Sequence, residues 1–148
     1  MKVKQKKDLK RIEALTKKEL KFILPLPPSV NHMYYNTGRG GKRLTKTAEE
    51  YVRTATSLIN LATKKNKWEV EEDGNWYYVD MVFYMPDLRI RDSHNMLKLL
   101  FDVLQPRVFG NDYFAMPRIN SVELDKENPR IEIKIHSQLA DERKRFIK

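Results

Sequence analysis

The chain is predicted to fold as α/β: a single compact domain with a mixed β-sheet and flanking helices. Three observations carry that prediction. Its 148 residues suffice for one core that buries roughly 70% of the unfolded surface. Strand-like apolar segments and segments of helical period follow one another in the order strand, helix, strand, helix, strand, strand. No internal repeat or low-complexity tract breaks that order.

The elements are justified in turn. Residues 1–21 hold nine basic and three acidic residues. Ile12, Leu15 and Leu20 give them only a thin apolar stripe, so they read as a basic N-terminal arm or helix. FILPL, beginning at Phe22, reads as the first strand, ended by Pro27 and Pro28. Residues 31–44 of SVNHMYYNTGRGGKRLT read as a loop, because three glycines, two asparagines and a threonine favour irregular backbone. From Thr45 to Lys65 the period is helical: Thr45 or Thr47 caps, Glu49 and Glu50 suit the first turns, and Tyr51, Val52, Ala55, Leu58, Ile59 and Ala62 recur on one face.

EVEEDGN reads as an acidic solvated turn, and WYYVDMVFYM (76–85) as a strand rich in aromatics and valine. Met96–Leu104 is apolar and helical, stopped by Pro106. Arg118–Leu124 and Arg130–Ile135 read as two strands, with Asp125–Pro129 as a hairpin turn between them. The organisation expected is an arm at 1–21, a domain at 22–137 and a charged tail at 138–148.

Lys plus Arg number 29 and Asp plus Glu 20, a net charge of +9. That excess favours a polyanionic partner, with nucleic acid the leading candidate. The absence of cysteine excludes disulfides, thiolate metal sites and cysteine nucleophiles. No run approaches the ~20 apolar residues of a membrane span, and the charged N-terminus has no apolar core behind it. A cytoplasmic protein with no membrane partner is expected.

Chemistry concentrates in MPDLRIRDSHNMLK (85–98) and FGNDYF (109–114). The first stretch leaves a strand and enters a helix near Ser93. Residues two apart on a helix point away from each other, so Asp92 and His94 converge only if Asp92 lies just outside the helix, at its cap. Lys98 then sits one turn beyond His94 on the same face, and Asn95 can orient a carboxylate or a water. A helix packed on the sheet returns Asp112 toward the same edge. Two carboxylates and an imidazole suit Mg²⁺ or Mn²⁺, the nitrogen leaning toward Mn²⁺. A cation so held activates water against a phosphodiester, and Lys98 balances the phosphate or holds the scissile strand. The same residues also fit a plainer reading, in which Asp92 is a helix cap, His94 a surface residue and Lys98 a solvated cation. In the 31–44 loop, Arg39, Lys42 and Arg43 stand without an acid beside Tyr34 and Tyr35, a mixture suited to phosphates and stacked bases.

These stretches carry a family resemblance from about Phe22 to Ile135. LPLPPSVNHMYY resembles the opening strand, proline pair and asparagine-tyrosine loop of the RusA-type Holliday-junction resolvases of bacteria and their phages. MPDLRIRDSHNMLKLLFDVL resembles that family's arginine-rich approach to a D-x-D-N-x-x-K motif, and NDYF its downstream acid. The resemblance implies a homodimeric endodeoxyribonuclease that nicks four-way DNA junctions in pairs during recombination and repair, with no small-molecule cofactor. It implies three metal-binding aspartates and an assisting lysine. Asp92 matches the first aspartate, Asp112 the third, Lys98 the lysine, and Asn95 the asparagine. His94 stands where the family has its second aspartate, which replaces a hard anionic oxygen by a neutral nitrogen. Asn31, Tyr34, Tyr35, Arg39, Lys42, Arg43, Arg89 and Arg91 are the expected DNA contacts. Flaps and forks are alternative substrates for such a nuclease. A non-catalytic basic module that binds junctions is the alternative of a different class.

Overall fold

The strand read at 76–85 organises the domain. The computed structural model describes residues 5–6, 19–28, 34–70, 75–89, 93–110 and 112–139; for Asn75, Ser93, Asn95, Asp112, Gln138 and Leu139 it describes the backbone. In it the central strand is β4 (Asn75–Met85), preceded by β1 (Glu19–Leu24), β2 (Tyr34–Asn36), β3 (Lys42–Leu44) and helix α1 (Lys46–Lys65), and followed by helix α2 (Leu97–Leu104), β5 (Ala115–Leu124) and β6 (Arg130–Leu139). The main sheet has the order β1-β6-β4-β5, and β2 with β3 forms a separate small ribbon. The fold is α/β with a mixed sheet, as expected: β4 runs parallel to β5 and antiparallel to β6, and β6 runs antiparallel to β1.

Alternation along β4 explains why it is central. Tyr77, Val79, Met81, Phe83 and Met85 are buried, whereas Trp76, Tyr78, Asp80, Val82 and Tyr84 are half-buried on the other face. The first set joins Leu20 and Leu24 of β1, Ile131, Ile133 and Ile135 of β6, and both helices in one core. Helix α1 supplies Ala48, Tyr51, Ala55 and Ile59. Helix α2 supplies Leu99, Leu100, Val103 and Leu104. The two helices also pack on each other. They therefore cover one face of the sheet. At the start of α1 the Thr45 side chain accepts from the Ala48 N–H at 3.2 Å, which identifies the cap.

Several boundaries differ from the sequence expectation. The first strand begins at Glu19, three residues before Phe22, because Glu19–Leu24 pairs in register with Ile131–His136. The 31–44 loop contains a hairpin over its described residues: Tyr34 pairs with Leu44 and Asn36 with Lys42. Helix α2 starts at Leu97, after a 3-10 turn at Ser93–Met96.

Asp125–Pro129 is not a hairpin turn. β5 and β6 lie on opposite sides of β4, so this link crosses the end of β4. The Asp125 N–H donates to the Met85 carbonyl at 2.8 Å. The Asp125 carboxylate accepts from Asn128 N–H at 3.1 Å and from Arg130 Nη1 at 2.7 Å. Those bonds fix the crossing, and β4 outcompetes β5 for β6 because it offers an unbroken apolar row.

Candidate functional site

The parallel pairing of β4 with β5 requires a crossover, and that crossover carries the expected chemistry. Chain leaves β4 at Met85 and returns through α2. It enters β5 through a 3-10 turn at Asp112–Phe114. This turn sits at the opening end of β4, because Ala115 is the cross-strand neighbour of Tyr77. Trp76 anchors it, stacked on Tyr113 at 6.4 Å and edge-on to Phe114 at 5.9 Å. The backbone of Asp112 is thereby placed, whereas Asp92 lies outside the described residues.

His94 is exposed within the 3-10 turn. Lys98 is exposed on the first turn of α2, with its Nζ 5.6 Å from the centroid of the Tyr34 ring. Asn95 is placed by its backbone alone. Among the described residues no three His, Asp or Glu side chains stand together as a metal site, and those residues exclude Asp92 and the Asp112 carboxylate. In chemical type, two carboxylates, an imidazole and a neighbouring amide fit a hard or borderline divalent ion.

The basic loop is a defined ribbon. Thr37 N–H donates to the Gly41 carbonyl at 2.8 Å, and Gly40 N–H to the Thr37 carbonyl at 3.2 Å. The Thr37 hydroxyl exchanges two further bonds with the Gly41 backbone. Gly40 has φ +75°, a conformation that a Cβ would strain. This closure holds Arg39, Lys42 and Arg43 around one open concavity. All three are exposed, and none has an acidic partner among the described residues. Tyr35 is 50% exposed beside them, whereas Tyr34 is half-buried against the core. Arg89 is exposed too, its N–H donating to Asp87 Oδ1 at 3.0 Å. Asn31 and Arg91 lie outside the described residues.

A polar cluster that the sequence did not announce lies on the sheet face opposite the helices. Arg118 grips Asp80 with two hydrogen bonds, the Nη2–Oδ2 bond measuring 2.9 Å. His136 Nε2 lies 3.1 Å from the same oxygen. The Arg118 guanidinium lies 4.4 Å over the Tyr78 ring, and His136 stacks on that ring at 5.4 Å. Burial alone raises the Asp80 pKa, but the bonds from Arg118 and His136 outweigh it and hold the carboxyl below the usual range. The signal available in the sequence was phase: Asp80 shares the face of Tyr78 and Val82, away from the core.

A family model described as endodeoxyribonuclease RusA matches residues 25–136. No curated protein matches the chain.

Proposed function

The chain belongs to the RusA endodeoxyribonuclease family, and from that premise we propose that it resolves four-way DNA junctions by paired, metal-dependent nicks. The observation that best supports this reading is the family match, which spans both the basic ribbon and the crossover bearing His94, Lys98 and Asp112. In the proposed reaction Arg39, Lys42 and Arg43 hold phosphates, with Tyr35 beside them to stack on an unpaired base. Arg89 and Arg91 bind the strand nearer the cut.

Asp92, His94 and Asp112 would hold Mg²⁺ or Mn²⁺, which when bound supplies a water acidic enough to attack at neutral pH. Asn95 orients a carboxylate or that water. Lys98 answers the negative charge that builds on the phosphate. A two-fold homodimer presents two such sites to a junction of matching symmetry. His94 in the place of an aspartate leaves one less anionic oxygen, so the site favours Mn²⁺ more than a three-aspartate site does.

The test is cleavage of an immobile four-way junction against matched linear duplex, in Mg²⁺ and in Mn²⁺. Symmetric nicks confined to the junction are expected. Asp92→Asn and Asp112→Asn should each lower the rate by at least about 10³-fold while junction binding survives. His94→Asp should raise the Mg²⁺ rate relative to Mn²⁺. Preferred cutting of flaps or forks would replace the substrate. Tight junction binding with no nicks under either ion would replace the enzyme by a binding module.

A further inference from the structure

The contact between Lys98 and Tyr34 joins parts of the molecule that are far apart in sequence. A lysine ammonium on a four-carbon stem in water samples many rotamers. An aromatic face within ~6 Å restricts it electrostatically, and the Tyr34 ring lies 5.6 Å from Lys98 Nζ. The ring can do this because it is itself held. Tyr34 is half-buried against the core and pairs with Leu44, which packs there too. Leu44 is followed at once by Thr45, the cap of α1, and α1 packs on the helix that bears Lys98. The ribbon's root is therefore fixed beside Lys98, while its tip carries Arg39, Lys42 and Arg43 outward.

We propose that Tyr34 is a positioning residue whose ring holds the Lys98 ammonium at the cleavage site, linking the ribbon's grip on phosphates to the group that answers the scissile phosphate. The proposal rests on Lys98 being the cleavage lysine. It separates two adjacent tyrosines: Tyr35 faces solvent and is free to meet a base, whereas the Tyr34 ring is already engaged. The ring face does the work, so the hydroxyl is dispensable.

The test uses the full chain and two readouts. The first is the ¹H–¹³C signal of the Lys98 ε-methylene, identified by its disappearance in Lys98→Arg. A nearby ring face shifts it upfield. The second is single-turnover cleavage of a four-way junction, with the Kd measured in parallel. Tyr34→Phe, which keeps the ring face, should keep the upfield shift and cut faster than Tyr34→Leu. Tyr34→Leu, which keeps an apolar side chain against the core, should abolish the upfield shift and slow cleavage about two- to fivefold with the Kd unchanged. On a Lys98→Ala background, Tyr34→Leu should cost nothing more.

An unaltered methylene signal in Tyr34→Leu would remove the contact and the proposal with it. Weakened binding at an unchanged rate would make Tyr34 a DNA contact. Equal slowing on the Lys98→Ala background would make its role general packing. Wild-type cutting by Lys98→Ala, together with an upfield shift in the unsubstituted protein, would overturn the role of Lys98 itself, leaving the contact real but without catalytic consequence.

Discussion

The β2–β3 ribbon and the face of the main sheet opposite the helices both carry cations, and they use them in opposite ways. On the ribbon, Arg39, Lys42 and Arg43 project with no carboxylate to answer them among the described residues. On the sheet face, Lys21, Arg118, Arg130 and Lys134 stand among Glu19, Asp80, Glu123 and Glu132. Lys134 reaches Glu19 at 2.9 Å, Arg130 reaches Asp125 at 2.7 Å and Glu132 at 3.6 Å, and Arg118 is locked to Asp80. Two of these guanidiniums also lie over rings, Arg118 on Tyr78 at 4.4 Å and Arg130 on Tyr84 at 3.8 Å. The net charge of +9 is therefore not spread evenly. A polyanion meets attraction at the ribbon and near-neutrality at the sheet face.

The largest expected effect tests the ribbon. Replacing Arg39, Lys42 and Arg43 together by glutamine should weaken junction binding at least tenfold near physiological salt. It should also flatten the dependence of log K on log salt by up to about 3, since each phosphate contact contributes about 0.9. Binding measured across a salt series decides it, and an unchanged slope would mean the ribbon does not touch DNA.

A smaller effect tests the sheet face. Asp80→Asn should destabilise the fold by about 1 kcal/mol at neutral pH, a figure kept low because Arg118 is half open to water. The sign with pH follows from the lowered Asp80 pKa. A carboxyl depressed in the folded state stabilises above its unfolded pKa, near 4. It loses that contribution as pH falls through the ordinary range toward the folded value. Denaturation curves of wild type and Asp80→Asn should thus converge in acid, and a gap that persists at low pH would assign the loss to packing. The smallest effect is a control: Lys21→Gln with Lys134→Gln should leave junction affinity within about twofold, because Glu19 already answers both lysines. A loss equal to that of the ribbon variant would erase the distinction between the two surfaces.

How much of this was legible in the sequence depends on the range of the interactions involved. β4 and α1 were legible because their cause is local. An eleven-residue strand rich in aromatics and valine and a twenty-residue helix with a threonine cap each contain their own signal. The ribbon was read as loop because three-residue strands hold no periodicity, and its closure depends on Thr37 bonding to Gly41. The expected hairpin of β5 with β6 does not form, because adjacency in sequence does not choose the partner and β4 lies between the two strands. Of the candidate site, residue types and order were legible from the motif. The nearness of Tyr34 to Lys98 was not, since it depends on α1 bringing the ribbon's root against α2.

The pairing of β1 with β6 has a consequence for the chain as it is made. Among the described residues, Glu19–Leu24 finds its one strand partner in Ile131–His136, roughly a hundred residues later. At ordinary synthesis rates of about 5–20 residues per second, β1 waits several seconds with Leu20 and Leu24 unsheltered by a neighbouring strand. Closing so long a loop is slow, so the sheet is completed only once β6 has emerged. A ribosome stalled anywhere before β6 would release a chain with an open strand edge at its front. Truncation within β6 should therefore show itself first as aggregation.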